Sequence, residues 1–430
     1  MKEYFRLYGH VFLESGDMGA CLYNILDGSI ISLSEEKKEC IVQTEKNIKL
    51  SEIKNLNYEF YDKLKKLKLG AFYNEKIYIE KFKWGLSKEM KKILKENHKI
   101  NILQLEVTTD CNLNCKFCEK DSEVLIRKTG CNRKKEDNRR LIANEYKDII
   151  SQVIDLQCNI IEIYGGEPFR NFGLIKDIVE FARSRGIENF RIYTNGTLIN
   201  QEIIDFIKVN KVNLNIQVIS ASKEKYDVIC DYKGAFDIIN TNINMLLSES
   251  IEFTFTYMLF RDNERDMNRD IEYYKAFGKD IQVQFIYPKP FNAFYSKKII
   301  PKIYDYKSKL INLKLPLYEY LQENNCCLGN KIAVLSDGDI STCIMSKKLT
   351  FANYFNERRL HLNINNKYEQ LKYLSKDKIE GCNKCQFRYG CLECRAIEIE
   401  ATGKLNGMEY CSLLTRTEEV IDEVSVSRDE

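Results

Sequence analysis

The arrangement of strand-like and helix-like patterns of apolar and polar residues changes near residue 100. Before it, short alternating segments predict strands at 4–7, 11–13, 20–24 and 29–33, with a turn at Asp27-Gly28. A helical pattern follows at 55–69, then a strand-like one at 71–82 and a basic helical one at 88–96. We therefore expect residues 1–98 to form a small α+β domain.

From residue 101, strand-like apolar runs alternate with amphipathic helical runs. The strand-like runs lie at 102–108, 159–164, 189–193, 212–219, 251–259 and 281–287. The helical runs lie at 142–156, 174–184, 201–209, 235–247 and 265–276. This alternation predicts an α/β fold with a parallel sheet and right-handed crossovers. Because six units fall short of the eight in a closed barrel, residues 99–300 predict a partial (β/α)6 barrel.

The remaining segments are less periodic. Residues 119–140 are polar and basic and predict an inserted loop, whose charges form a solvated surface or, alternatively, a lid over a site. Residues 301–325 predict a helical bridge, and the acidic residues 412–430 predict a tail. Residues 326–411 hold eight cysteines in turn-rich sequence, a kind of region that bound metal would stabilise.

Cysteine is the most informative residue type in the composition. The chain has 430 residues, a net charge of +3, sixteen cysteines and three histidines. The nearly balanced charge gives no support for nucleic-acid binding, and no apolar run reaches the roughly 20 residues that span a bilayer. The N-terminus lacks a signal-peptide pattern, so we expect a cytoplasmic protein without a membrane partner. In that reducing compartment, so many cysteines favour metal or redox sites over disulfides.

Cys111, Cys115 and Cys118 follow directly on the first predicted strand of the barrel. The carboxyl ends of barrel strands are where active sites of such folds are built. Three thiolates can bind one face of a cubane iron–sulfur cluster and leave the fourth iron open for catalysis. The alternative is a structural zinc site with Cys131 as its fourth ligand.

The spacing of these cysteines, CxxxCxxC with the aromatic Phe117 before the last, resembles the signature of the radical S-adenosylmethionine (SAM) superfamily. The resemblance implies a radical SAM barrel and a 4Fe–4S cluster whose open iron chelates SAM. It also implies reductive cleavage of SAM to a 5′-deoxyadenosyl radical, with the electron supplied by an external donor of the flavodoxin or ferredoxin type. On the same resemblance, Phe117 lies beside the adenine.

Three further strand ends fit that family. Gly165-Gly166-Glu167-Pro168 resembles its GGEP motif, where glycines allow close backbone approach and polar groups engage the methionine amino group of SAM. Thr194-Asn195-Gly196-Thr197 resembles its TNG turn after the third strand. Ser220 ends the fourth strand, where the family often places a polar SAM contact, although an ordinary strand-end serine is the alternative.

The cysteines after residue 326 resemble the SPASM extension of radical SAM peptide maturases, which carries two auxiliary iron–sulfur clusters. Carried over by position, the ligands of the first auxiliary cluster are Cys327, Cys343 and Cys394, with Cys326 as a further candidate. The ligands of the second are Cys382, Cys385, Cys391 and Cys411. The gap before Cys394 is two residues where the commoner pattern has three, as in a subgroup that includes the grasp-with-spasm type. A zinc-ribbon-like site is the alternative.

The first 98 residues resemble the winged-helix-like domains with which such maturases bind the leader of a precursor peptide, by adding a strand to a sheet edge. Four of the five cysteines outside the clusters are expected to be buried or incidental. They are Cys21, Cys40, Cys158 and Cys230.

The leading hypothesis is therefore a radical SAM maturase of a ribosomally made (RiPP) peptide, forming a thioether cross-link. Carbon–carbon cross-linking and the oxidation of a Cys or Ser to formylglycine, as in anaerobic sulfatase-maturing enzymes, are the enzymatic alternatives. The alternative from another class is a metal-stabilised binding protein without catalysis.

Overall fold

The computed structural model describes residues 2–83, 100–118, 139–260, 262–285, 311–325, 327–360, 365–391 and 394–408. Several predictions fall outside these residues. They are the helix at 88–96, the loop at 119–138, residues 301–310 of the bridge, the tail at 412–430, and Cys131, Cys326 and Cys411.

Contacts between residues divide the chain into two compact units. The first unit comprises Met1–Lys92, Ala293–Cys326 and Lys372–Glu430. The second comprises Ile93–Asn292 and Cys327–Leu371.

The strands are β1 Tyr4–Leu7, β2 Val11–Gly16, β3 Gly19–Asn24, β4 Ile30–Leu33, β5 Gly70–Tyr73, β6 Ile102–Thr108, β7 Ile160–Gly165, β8 Asn189–Thr194, β9 Asn213–Val218, β10 Phe253–Leu259, β11 Ile281–Phe285, β12 Lys331–Val334, β13 Asp339–Ser341 and β14 Thr350–Asn353. The α-helices are α1 Glu35–Glu45, α2 Tyr58–Lys66, α3 Ala143–Asp155, α4 Phe172–Ser184, α5 Gln201–Asn210, α6 Lys223–Cys230, α7 Ala235–Ser248, α8 Met267–Lys275, α9 Leu315–Glu323, α10 Tyr354–Glu357, α11 Asn366–Lys372 and α12 Arg395–Thr402. Among the described residues, no helix is both long and apolar enough to cross a membrane.

The first unit contains two small antiparallel sheets, one of β2, β3 and β4 and one of β1 and β5. The predicted α+β domain and its first four strands are confirmed. The predicted strand at 71–82 is wrong beyond Tyr73, because its partner β1 has only four residues. Helix α1 was not predicted, since its sequence is rich in Glu and Lys and only Cys40, Ile41 and Thr44 are buried.

The same unit has a second hydrophobic core, in which strand β3 packs against the cysteine-rich segment after residue 380. Cys21 and Tyr23 of β3 are fully buried there with Tyr318 of α9 and with Phe387. The sequence placed these elements in three separate segments, so their common core was not foreseen.

The second unit is built on a single nine-stranded sheet in the order β11-β10-β9-β8-β7-β6-β12-β13-β14. Strands β6 to β11 follow one another in sequence and are all parallel, with helices between them. The predicted partial (β/α)6 barrel is confirmed. Its strands and helices begin and end within two residues of the predicted positions, apart from the predicted end of the last strand at 287, which lies outside the described residues.

Residues 327–371 extend this sheet, whereas the sequence grouped them with all of 326–411. Strand β12 pairs in parallel with β6, and β13 and β14 continue the sheet as antiparallel strands. The sequence did not reveal this because the three strands are only three or four residues long.

The two faces of the sheet differ in polarity, because successive strand residues point to opposite faces. One set is apolar and fully buried, as in Leu103, Leu105, Ile161 and Ile163. The other set is polar, and its members Gln104, Glu162 and Arg191 are register partners on β6, β7 and β8.

Candidate functional site

The loop that carries Cys111, Cys115 and Cys118 follows β6, and Cys111 lies three residues after the end of that strand. Its backbone is held by the C-terminal end of helix α6, where carbonyl groups lack partners within the helix. The N–H of Asn114 donates to the Cys230 carbonyl at 3.1 Å, and the N–H of Lys116 donates to the Ile229 carbonyl at 2.9 Å. Helix α6 was not predicted from the sequence, yet it fixes the position of the cysteine loop.

Asn195, at the end of β8, joins the third strand to the cysteine loop. Its side-chain N–H₂ donates to Cys111 Sγ at 3.7 Å and to Asn112 Oδ1 at 3.1 Å. Asn112 in turn donates to Thr197 Oγ1 at 2.8 Å, and Thr197 donates back to Asn195 Oδ1 at 2.6 Å. The closed ring of hydrogen bonds fixes the orientation of the Asn195 side chain toward the sulfur.

Gly165 and Gly166 lie against the backbone that leads into the cysteine loop. The N–H of Gly166 donates to the Thr108 carbonyl at 2.9 Å. A Cβ on Gly166 would lie 2.2 Å from the Asp110 carbonyl oxygen, a distance that backbone atoms cannot accommodate. The absence of a side chain therefore lets the end of β7 pack directly on the segment before Cys111.

The Glu167 side chain is fully buried, and its carboxylate accepts three hydrogen bonds from the protein. The donors are the N–H of Phe169 at 3.1 Å, the hydroxyl of Thr194 at 2.8 Å and the N–H of Asn195 at 2.8 Å. Burial raises the pKa of Glu167 to about 7, although the three hydrogen bonds oppose this shift. Glu167 therefore links the ends of β7 and β8 through these hydrogen bonds.

Phe117 and Ser220 are two further predicted SAM contacts. The Phe117 ring is partly exposed and contacts Phe260, just after β10, with ring centroids 5.1 Å apart. Ser220 is fully buried; its hydroxyl accepts a hydrogen bond from the N–H of Ser222 at 3.2 Å, and its carbonyl accepts one from the Tyr274 hydroxyl. Every SAM-cluster and SAM-contact residue predicted from the sequence thus lies at the carboxyl end of a strand in the second unit or in the segment that follows it.

The donor set of the loop consists of three cysteine sulfurs, which are the usual ligands of iron–sulfur clusters. The N–H of Leu113 and the amide of Asn195 both donate to Cys111 Sγ, as donors do around cluster thiolates.

The later cysteines are distributed over both units. Cys327 and Cys343 belong to the second unit, whereas Cys382, Cys385, Cys391 and Cys394 belong to the first. Cys385 and Cys391 pack against the core around Tyr23 and Phe387. The four cysteines expected to be buried are all buried, at 7% exposure or less.

A polar cluster on the sheet was missed by the sequence interpretation. Glu162 accepts hydrogen bonds from Gln104 at 2.9 Å, from the Tyr164 hydroxyl at 2.8 Å and from the Tyr193 hydroxyl at 3.3 Å. The Tyr164 and Tyr193 rings are stacked, with centroids 4.3 Å apart. The sequence feature that predicts this cluster is the pair of polar residues Gln104 and Glu106, two positions apart in the largely apolar strand β6.

Residues 105–274 match the family model described as Radical SAM superfamily. The chain is 28% identical over 301 residues to uncharacterized protein MJ0907 of Methanocaldococcus jannaschii, covering 66% of this chain and 95% of the relative. It is 23% identical over 202 residues to the GTP 3′,8-cyclase of Synechocystis, covering 46% of this chain and 58% of the relative.

The fold resembles the crystal structure of Streptococcus suis SuiB bound to the precursor peptide SuiA. The TM-score is 0.55 at 16% identity, covering 95% of this chain and 99% of that one. Another structure of SuiB, bound to SAM, has a TM-score of 0.54 and 13% identity and covers 94% of this chain and 98% of that one. A radical SAM fold of this kind implies SAM and a 4Fe–4S cluster as cofactors. Residues 105–274 thus form a radical SAM domain, which makes the protein an enzyme.

Proposed function

We propose that Cys111, Cys115 and Cys118 hold the SAM-binding 4Fe–4S cluster, and that the protein modifies a ribosomally synthesised precursor peptide. The observation that carries the first part is the hydrogen bond from Asn195 to Cys111 Sγ, which joins the cysteine loop to a second strand end. The bound cluster and SAM would supply a 5′-deoxyadenosyl radical after one electron arrives from an external donor.

The chain's own residues would bind and orient SAM. Phe117, which rests on Phe260, offers its ring to the adenine, and Ser220 lies at the neighbouring strand end. Gly165, Gly166 and Pro168 lie in the turn that would face the methionine end of SAM, and Glu167 holds Thr194 and Asn195 by hydrogen bonds. These residues exclude water and fix geometry, which is the usual contribution of a protein to cofactor radical chemistry.

A peptide substrate is supported by the first unit. SuiB, whose likeness extends over nearly the whole chain, has been solved with a precursor peptide. The sheet of β2, β3 and β4 offers two edge strands, β2 and β4, to which a leader segment could add.

The auxiliary clusters are proposed at the later cysteines. The second would use Cys382, Cys385, Cys391 and Cys411, and the first would use Cys327, Cys343 and Cys394, with Cys326 as a further candidate. Thioether formation removes two hydrogens from the peptide. One would leave as a hydrogen atom to the 5′-deoxyadenosyl radical and the thiol hydrogen would leave as a proton. An auxiliary cluster bound at these cysteines would accept the remaining electron.

Anaerobic reconstitution with iron, sulfide, SAM and dithionite tests this proposal. The candidate substrates are short cysteine-containing peptides encoded beside this gene, and GTP serves as the competing substrate because of the cyclase relative. We expect a peptide to increase 5′-deoxyadenosine formation and to lose two hydrogens by mass spectrometry, with one thiol fewer available to alkylation. A mass loss without loss of a thiol means a carbon–carbon bond, and a Cys-to-formylglycine mass change means the sulfatase-maturing reaction. Stimulation by GTP alone overturns the peptide proposal.

A further inference from the structure

Lys331, the first residue of β12, is a buried lysine in contact with one of the proposed cluster cysteines. Its side chain is largely excluded from solvent, with the residue 7% exposed. Its ammonium donates to Cys327 Sγ at 3.0 Å. Lysine is almost never this buried without a partner for its charge.

The same lysine faces the polar side of the sheet. Lys331 pairs with Ile102 on β6, and Ala333 pairs with Gln104, so Lys331 shares a face with Gln104 and Glu162. Burial alone would raise the pKa of Glu162, but hydrogen bonds from Gln104 and Tyr164 and the positive charges of Arg191 and Lys331 lower it overall. Lys331 therefore acts electrostatically on the buried Glu162 carboxylate and by direct contact on the Cys327 sulfur.

We propose that Lys331 is a positioning residue that places a positive charge and a hydrogen bond against Cys327, and thereby raises the reduction potential of the cluster bound there. The inference rests on the proposed function, because it requires an auxiliary cluster at Cys327. Lys331 belongs to neither the cysteine pattern nor the SAM motifs.

The direction of the effect follows from charge. A cluster gains one negative charge on reduction, and hydrogen bonds to sulfur and net charge are the main protein determinants of its potential. A cation at 3.0 Å in a buried site favours the reduced state, since little water is present to screen it. Raising the potential in this way would make the cluster a better acceptor of the electron left after peptide oxidation.

A purely structural role predicts something different. If Lys331 only compensates the buried charge of Glu162, its loss destabilises the sheet without changing the potential of any cluster. A measurement of the cluster's reduction potential in folded, iron-replete protein therefore distinguishes the two roles.

The experiment is an EPR-monitored redox titration of the reconstituted full-length enzyme and four variants. Lys331→Met removes charge and donor, Lys331→Gln keeps a donor, and Lys331→Arg keeps both. Lys176→Met, which removes a surface lysine paired with Glu202, is the matched control. The SAM-binding cluster serves as an internal reference in every sample.

We expect Lys331→Met to disfavour reduction of one cluster by at least about tenfold, which is ~59 mV for a one-electron couple. The reduction potential of that cluster in Lys331→Gln should lie between the values in Lys331→Met and the wild type. The potentials in Lys331→Arg and Lys176→Met should match the wild-type value. A wild-type potential in iron-replete Lys331→Met overturns the inference. If Lys331→Met loses iron, a wild-type potential in Lys331→Gln overturns the role of the charge. An iron content of about four per chain in the wild type instead overturns the auxiliary clusters themselves.

Discussion

The carboxylate of Glu167 accepts a hydrogen bond from the backbone N–H of Asn195 at 2.8 Å, which joins the ends of the second and third strands of the barrel. The Asn195 side chain then reaches Cys111 Sγ. Asn195 therefore links the buried Glu167 to Cys111, a ligand of the proposed cluster.

Replacing Asn195 with alanine tests that line directly. The variant loses the donor to Cys111 and breaks the hydrogen-bond ring with Asn112 and Thr197. Because loss of such outer partners typically costs about 10- to 100-fold in metal affinity or activity, we expect a fall of that size in 5′-deoxyadenosine formation. Asn189→Ala, at the opposite end of the same strand, is the control and should retain the wild-type rate. Equal rates in both variants would contradict a role for the contact.

The buried Glu167 gives the stability of the metal-free protein a pH dependence of known sign. Its folded-state pKa of about 7 lies above the ordinary 4.5, so the folded state binds the proton more tightly than the unfolded state between these values. The free energy of unfolding should therefore fall as the pH rises from about 4.5 to about 7, on the order of 2 kcal/mol from this group.

Urea denaturation of wild type and Glu167→Gln across this pH range measures the effect. The variant should lose this part of the dependence, whereas Glu202→Gln, at an exposed acid, should keep it. If the free energy of unfolding of the wild type instead rises with pH relative to that of Glu167→Gln, the hydrogen bonds outweigh burial in setting the pKa of Glu167.

Gly16, the last residue of β2, packs closely against the segment that carries Cys382, Cys385 and Cys391. A Cβ at this position would lie 2.4 Å from the backbone nitrogen of Gln386 and 2.7 Å from the carbonyl oxygen of Lys384. We expect Gly16→Ala to displace the cysteine segment and to lose about four irons per chain. The SAM-binding cluster should keep its EPR signal.

Gly173→Ala provides the matched control, since nothing lies within 4 Å of a Cβ added there. It should retain the full iron content. If Gly16→Ala also retains it, the hairpin does not support the cysteine segment.

Tyr23 supports the same segment through a buried hydroxyl, which donates to the Gln386 carbonyl at 2.8 Å. Tyr23→Phe leaves that acceptor without its partner, so we expect a loss of about 1–3 kcal/mol in the free energy of unfolding. Chemical denaturation of the metal-free protein measures it. Tyr58→Phe, at a ring that is 49% exposed, should change stability by much less, and similar losses in both variants would refute the special role of Tyr23.

The ends of the first three parallel strands could be predicted from the sequence, because each of these apolar runs stops at a motif that contains cysteine, glycine or asparagine. Cys111, Gly165 and Thr194 were placed at consecutive strand ends in this way, and the structure puts them there. Local periodicity and turn chemistry sufficed, since parallel strands place these ends on one edge.

Contacts between distant segments could not be predicted in the same way. The hydrogen bond from Asn112 to Thr197 joins residues 85 apart, and nothing in either local pattern specifies it. Strand β12 has four residues and pairs with β6 on one side and β13 on the other, so its identity comes from tertiary pairing and not from propensity. Lys331 was overlooked for that reason.

The most direct measurement is 5′-deoxyadenosine formation from SAM by the reconstituted protein under dithionite, compared between wild type and Cys115→Ala. We expect the wild type to form 5′-deoxyadenosine and methionine in equal amounts, and the variant to form neither above the background of free iron and sulfide. A wild type that forms none, or a Cys115→Ala variant with wild-type activity, would contradict a catalytic cluster at Cys111, Cys115 and Cys118.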